Sequence, residues 1–124
     1  MEAQAISVRL ARKSVAYNGL NERFKICEGD LRDAAILRDE DPFDLVFGSP
    51  PYFPPGTASQ AAHAQAIPAR IELRGDINDY ARRAAEIMAT GGIFACVFPA
   101  LQSDRAREAL STAGLVLVRC RDVI

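Results

Sequence analysis

The apolar positions along this chain fall into two periods. Val8, Ala11 and Val15 share one stripe while Arg9, Arg12 and Lys13 lie largely off it, which predicts a helix over 3–18, stopped by Asn18-Gly19. Residues 24–28 read as a short strand leading into Gly29-Asp30, followed by a short helix over 31–38 and a turn over 39–42. Two segments have the character of strands covered on both faces: 43–47, apolar but for Asp44, and the wholly apolar 93–98, closed by Pro99. Between them, 53–75 has no clean period and is rich in Ala, Pro and Gly, so it reads as a long loop. Asp76 is placed to cap a helix running to about residue 89, with Ile77, Tyr80, Ala84, Ile87 and Met88 as its apolar face and Gly91-Gly92 as its end. Ser103 is placed to cap a helix to residue 113, Gly114 to stop it, and 115–121 to form a last strand.

Helices and strands thus alternate. That order predicts an α/β domain with a mainly parallel sheet and helices on both faces. The chain has 124 residues, enough for a single domain, and 49% apolar with 25% charged residues is an ordinary globular composition. No apolar run approaches the roughly 20 residues that span a bilayer. Met1-Glu2-Ala3-Gln4 does not open a signal peptide, so no membrane association and a cytoplasmic location are the expectation. Cys27, Cys96 and Cys120 are odd in number and far apart, and each lies in a predicted strand. Buried reduced thiols are expected rather than a disulfide or zinc framework. A net charge of −1 excludes a bulk basic surface, so any nucleic-acid contact must be local.

The chemistry concentrates where the strand over 43–47 ends, at Gly48-Ser49-Pro50-Pro51-Tyr52. Prolines fix the backbone, so the Ser49 hydroxyl and the Pro50 carbonyl are held at set angles. Ligands of open α/β sheets bind beyond the carboxyl ends of strands. Two acceptors at such an end suit a planar exocyclic amine. Its lone pair is delocalised, and acceptors that take both N–H groups draw the nitrogen toward a tetrahedral shape. Tyr52 is suited to stack on the ring that bears the amine. The competing reading is a polyproline turn that merely ends a strand.

Ser49-Pro50-Pro51-Tyr52 resembles the Asn/Asp/Ser-Pro-Pro-Tyr motif of S-adenosylmethionine-dependent amino-methyltransferases. The likeness extends to Glu2-Ala-Gln-Ala with the segment from Ala11 to Leu20, to Gly29-Asp-Leu-Arg32, to Pro68-Ala-Arg-Ile-Glu-Leu-Arg74, and to Gly91 through Pro99. Over nearly the whole chain the sequence is similar to the small-domain group, and most of all to bacterial tRNA (adenine-N6)-methyltransferases. DNA and protein-glutamine methyltransferases share the tetrapeptide. The resemblance implies a Rossmann-like class I sheet, S-adenosylmethionine as cofactor, and RNA, specifically tRNA, as partner. It implies catalytic roles for Ser49, Pro50 and Tyr52, cofactor contacts from Glu2, Asp30 and Ser49, and acceptor contacts from Pro51, Phe53, Arg70 and Arg74. Each has a plainer alternative: a solvated terminal charge for Glu2, a helix cap for Asp30, solvated surface for Arg70 and Arg74.

The glycines stand at 19, 29, 48, 56, 75, 91, 92 and 114, and no Gly-x-Gly occurs. A glycine turn that lets a cofactor approach the backbone is therefore absent. Matched to the resemblance, Glu2 falls at the end of a second strand. The chain then reads as a single incomplete methyltransferase domain over 1–124, lacking its first strand or strands, with 53–75 as the acceptor-side loop. Open sheet edges invite pairing, so a homo-oligomer covering them is expected. The alternative is a non-catalytic fragment that folds or oligomerises without binding cofactor. His63 stands alone in an alanine-rich stretch, and no metal site is expected.

Overall fold

The computed structural model describes residues 1–56 and 67–123; His63 and the middle of the long loop lie outside the described residues. Two compact units result, Met1–Glu40 and Asp41–Ile124.

In the first unit, α1 spans Ala5–Tyr17. Val8 is buried, Ala11 and Val15 are half-buried, and Arg9, Arg12 and Lys13 are exposed, as the stripe requires. The helix stops where Gly19 takes a φ of 66°, with the Leu20 N–H donating to the Val15 carbonyl (3.0 Å). The predicted strand over 24–28 is reduced to one parallel bridge, Glu2↔Glu28. It is closed by the Glu2 N–H on the Cys27 carbonyl (3.0 Å) and the Gly29 N–H on the Glu2 carbonyl (2.9 Å). The predicted helix over 31–38 is a run of turns instead. Asp30 and Asp33 accept the N–H groups of Arg32 and Ala35, two residues on, which competes with helical bonding. Leu37 at φ 65° then breaks any remaining helical path.

The second unit contains β1 (Phe43–Gly48), the one-turn α2 (Ile67–Arg70), α3 (Ile77–Ile87), β2 (Met88–Cys96), a 3₁₀ turn (Ala100–Gln102) and α4 (Ser103–Thr112). The strands form a two-stranded parallel sheet, so the chain is α/β as expected. β2 begins where α3 ends, earlier than the pattern predicts. Phe43 pairs with Met88 and Leu45 with Ile93, so Ala89–Thr90–Gly91–Gly92 bulge out of the ladder. The glycine pair serves this bulge rather than the helix end. Gly91 has a φ of 81°, and a Cβ on Gly92 would lie 3.0 Å from the Phe43 carbonyl oxygen.

Ile77, Ala81 and Ala109, from α3 and α4, form the buried cluster that packs against Phe94, Cys96 and Phe98. Within this unit, α3 and α4 cover one face of the sheet. Burial pushes the Cys96 thiol pKa up, as suits an inert core cysteine. Cys120 is exposed, because residues 115–121 form no strand. A strand-prone segment without a neighbour has nowhere to place its backbone bonds. Ser103 opens α4 in helical geometry rather than capping it, since the chain arrives through the 3₁₀ turn.

Asp76 does cap α3, in a full capping box: its Oδ1 accepts from the N–H of Asn78 (2.9 Å) and of Asp79 (3.1 Å). Burial is the largest single influence on its carboxyl and acts upward. The bonds from Asn78 and Asp79 and the Arg105 charge outweigh it together and hold the pKa below the usual value. A depressed carboxylate stabilises the fold above its unfolded pKa of about 3.9, and loses that effect as pH falls through the folded value. Asp76→Ala should therefore cost about 1 kcal/mol at pH 7. In urea unfolding series, the gap to the parent chain should narrow as pH drops below about 4.

Candidate functional site

The site grows from the common end of the two strands. Gly48 closes β1 opposite Cys96, and its carbonyl still accepts from the Val97 N–H (3.4 Å). A Cβ on Gly48 would stand 3.0 Å from Tyr80 Cε1, so the small residue lets α3 close on the strand end. Ser49 then emerges exposed, while Pro50 and Pro51 are buried and hold the backbone beneath it. No described residue donates a hydrogen bond to the Ser49 hydroxyl or to the Pro50 carbonyl. The Ser49 hydroxyl is therefore an exposed acceptor at the carboxyl end of a parallel sheet, while the Pro50 carbonyl belongs to a fully buried residue beneath it.

Tyr52 is half-buried and set by its neighbours. Its carbonyl accepts from Gln102 Nε2 (3.0 Å). Its ring lies edge-to-face with Phe53, centroids 5.3 Å apart, and with Phe98 at 6.2 Å. Phe53 is pinned by the far end of the long loop. Its N–H donates to the Arg70 carbonyl (3.1 Å) and its own carbonyl accepts from the Glu72 N–H (3.0 Å), forming the bridge Phe53↔Ile71. The Arg70 guanidinium stands 5.7 Å from the Phe53 ring centroid. Arg70 and Phe53 therefore come together with the tetrapeptide. Arg74 is exposed beyond them, near the start of the α3 cap.

Sequence reasoning missed the residues that hold this arrangement. Arg105 on α4 pairs with the carboxylate of Glu72, whose side chain is only 8% exposed, and with Asp76 Oδ2 (3.3 Å). It also donates to Gln102 Oε1 (3.3 Å) and lies 6.0 Å from the Phe98 centroid. One guanidinium thereby ties the loop's return, the α3 cap and the Tyr52 support together. The only linear hint was an Arg one turn into a helix next to a strand-end aromatic.

Glu2 and Asp30 belong to the first unit, where the parallel bridge brings their backbones to one end. Glu2 Oε1 accepts the Gln4 N–H (2.8 Å), ordering the entry to α1. Asp30 is no helix cap. Its two oxygens take the Arg32 backbone N–H (3.0 Å), Nε (2.8 Å) and a terminal guanidinium nitrogen (2.6 Å). A ligand amine would have to displace a bidentate arginine there. With no Gly-x-Gly turn in the chain, the residues present do not fit a complete S-adenosylmethionine site. Among the described residues, no group of three or more His, Cys, Asp or Glu is placed to hold a metal ion, and no helix is long and apolar enough to cross a membrane.

No known protein family and no curated protein matches the chain.

Removing the central guanidinium should be costly, because it strands a buried carboxylate. Arg105→Ala is expected to lower stability by about 2 kcal/mol in urea unfolding. Arg105→Lys should recover less than half of this, since a point charge cannot serve three acceptors in fixed directions.

Proposed function

We propose that this chain carries the acceptor side of an S-adenosylmethionine-dependent N-methyltransferase acting on an exocyclic amino group of a nucleic-acid base, with adenine in tRNA as the favoured substrate. The observation that carries the reading is the exposed Ser49 hydroxyl, unpartnered at the carboxyl end of the parallel strands and beside Tyr52, with the Pro50 carbonyl, also without a donor, in the buried residue next to it; an amine reaches that carbonyl only when the cover over Pro50 moves aside. An amine presented there donates one N–H to each acceptor. Its nitrogen lone pair is thereby freed from conjugation and turned out of the ring plane. Buried Pro50 and Pro51 keep the acceptors from shifting. Tyr52, braced by Phe53 and Phe98, supplies an aromatic partner for the base. Arg70 adds a local positive charge for a flanking phosphate in a chain that is acidic overall. The Glu2↔Glu28 parallel bridge supports a Rossmann-like reading of the first unit, because it sets two acidic positions at one strand end.

A second reading has its own observation. Asp30 is engaged by Arg32 and the glycine turn is absent, which favours a fragment that does not bind cofactor by itself. Both readings agree on the acceptor side only if nucleic acid binds there.

Two titrations test this. A short adenine-containing single-stranded RNA should bind, and Tyr52→Ala should weaken it by roughly 10-fold or more, as loss of one stacking platform does. Ser49→Ala should weaken binding of an adenine-bearing strand more than of one whose base lacks the amino group. RNA binding indifferent to both substitutions would sink the proposal. Calorimetry with millimolar S-adenosylmethionine should show no heat of binding by this chain. A clear isotherm would instead make the cofactor site complete.

A further inference from the structure

The sheet of the second unit has two unlike faces. Val46 and Gly48 of β1 and Phe94 and Cys96 of β2 turn toward α3 and α4. The opposite face presents Leu45 (56% exposed), Phe47 (79%), Ile93 (63%) and Val97 (66%). Leu45 pairs with Ile93 and Phe47 with Ala95, so these side chains form one continuous surface rather than scattered residues. Parallel sheets are almost always covered on both faces. This one leaves a continuous apolar patch on the order of 500 Å², the size of the largest patch on a typical monomer and one that is often functional.

Charge narrows the occupant. Neither β1 nor β2 contains Lys or Arg. That disfavours nucleic acid, which needs phosphate contacts, and an anionic lipid surface, which attracts basic residues. An apolar sheet face without basic residues is complementary to another of the same kind, packed about 10 Å away. A second copy supplies one. Two such faces brought together bury about 1,000 Å², the lower bound for a specific interface.

We infer that two copies of this chain associate face to face through Leu45, Phe47, Ile93 and Val97, with the same patch contributed by each across a two-fold axis. The contact lies on the sheet's bare face, not on its open edges, and it does not depend on the methyltransferase reading.

Sedimentation equilibrium at about 100 µM, well above a micromolar dissociation constant, should return twice the 13.5 kDa of one chain. A single-chain mass at that concentration overturns the inference. Phe47→Lys sets like charges against each other across the axis and should raise the dissociation constant at least 100-fold. Its far-UV circular dichroism should stay unchanged, because the side chain is already largely exposed. Ile93→Lys should act the same way, so loss of fold in one variant cannot hide the result. Glu108→Lys, exposed on α4 at the opposite face of the sheet, should leave the dimer intact. Dissociation by Glu108→Lys but not by Phe47→Lys or Ile93→Lys would place the contact elsewhere and overturn the inference.

Discussion

The ladder between β1 and β2 runs in register from Leu45↔Ile93 to Gly48↔Cys96, so both strands end at one level. Everything of chemical interest in the second unit is hung from that level. Ser49 and Tyr52 follow one strand, and Phe98 and Gln102 follow the other. Only because the strands are parallel and in step does the Gln102 amide reach the Tyr52 carbonyl, and only then does Phe98 meet the Tyr52 ring. The bulge at 89–92 is part of the same constraint. It takes up the residues between Met88 and Ile93 that would otherwise shift the ends out of step.

A second layer of control is electrostatic. The buried cluster of Ile77, Ala81 and Ala109 is small, with one large side chain, so packing alone holds the loop weakly. Arg105 compensates by joining Glu72, Asp76 and Gln102. Charges taken partly out of water are costly, and they hold a geometry well only when every partner is present. The same group that steadies the α3 cap therefore also steadies the aromatic trio. Stability and site geometry are coupled through one guanidinium.

The first unit follows a different logic. It has one helix with a clear apolar stripe and one parallel bridge, and the rest is turns. Its carboxylates are used internally: Glu2 on Gln4, Asp30 on Arg32. Short side chains that bond to nearby backbone or to a neighbouring arginine suppress regular structure in the segment after them. The second unit has the reverse imbalance. Its core face is covered by two helices, and its other face shows Phe47 and Val97 to solvent.

Much of this was readable along the chain. Helix α1 with its Asn18-Gly19 stop, the Asp76 cap and both strands of the sheet follow from local pattern, because caps, turns and periodicity act between residues a few positions apart. Two expectations failed for a shared reason: residues 24–28 and 115–121 are strand-like in composition, but a strand exists only if another lies beside it. Residues 31–38 failed for a local one, losing their helix to aspartate side chains. Gly91-Gly92 looked like a helix end and serves a bulge, since only the pairing of Phe43 with Met88 decides where β2 begins. Arg105 and Gln102 were invisible as site residues, because their partners are 33, 29 and 50 positions away. By itself the sequence determined where α1, α3 and α4 run, how α3 is capped and which two segments form the strands of the sheet. Tertiary structure alone decided which strands pair, which sheet face stays bare and which charge locks the site, because each of these depends on contacts between residues that local pattern cannot bring together.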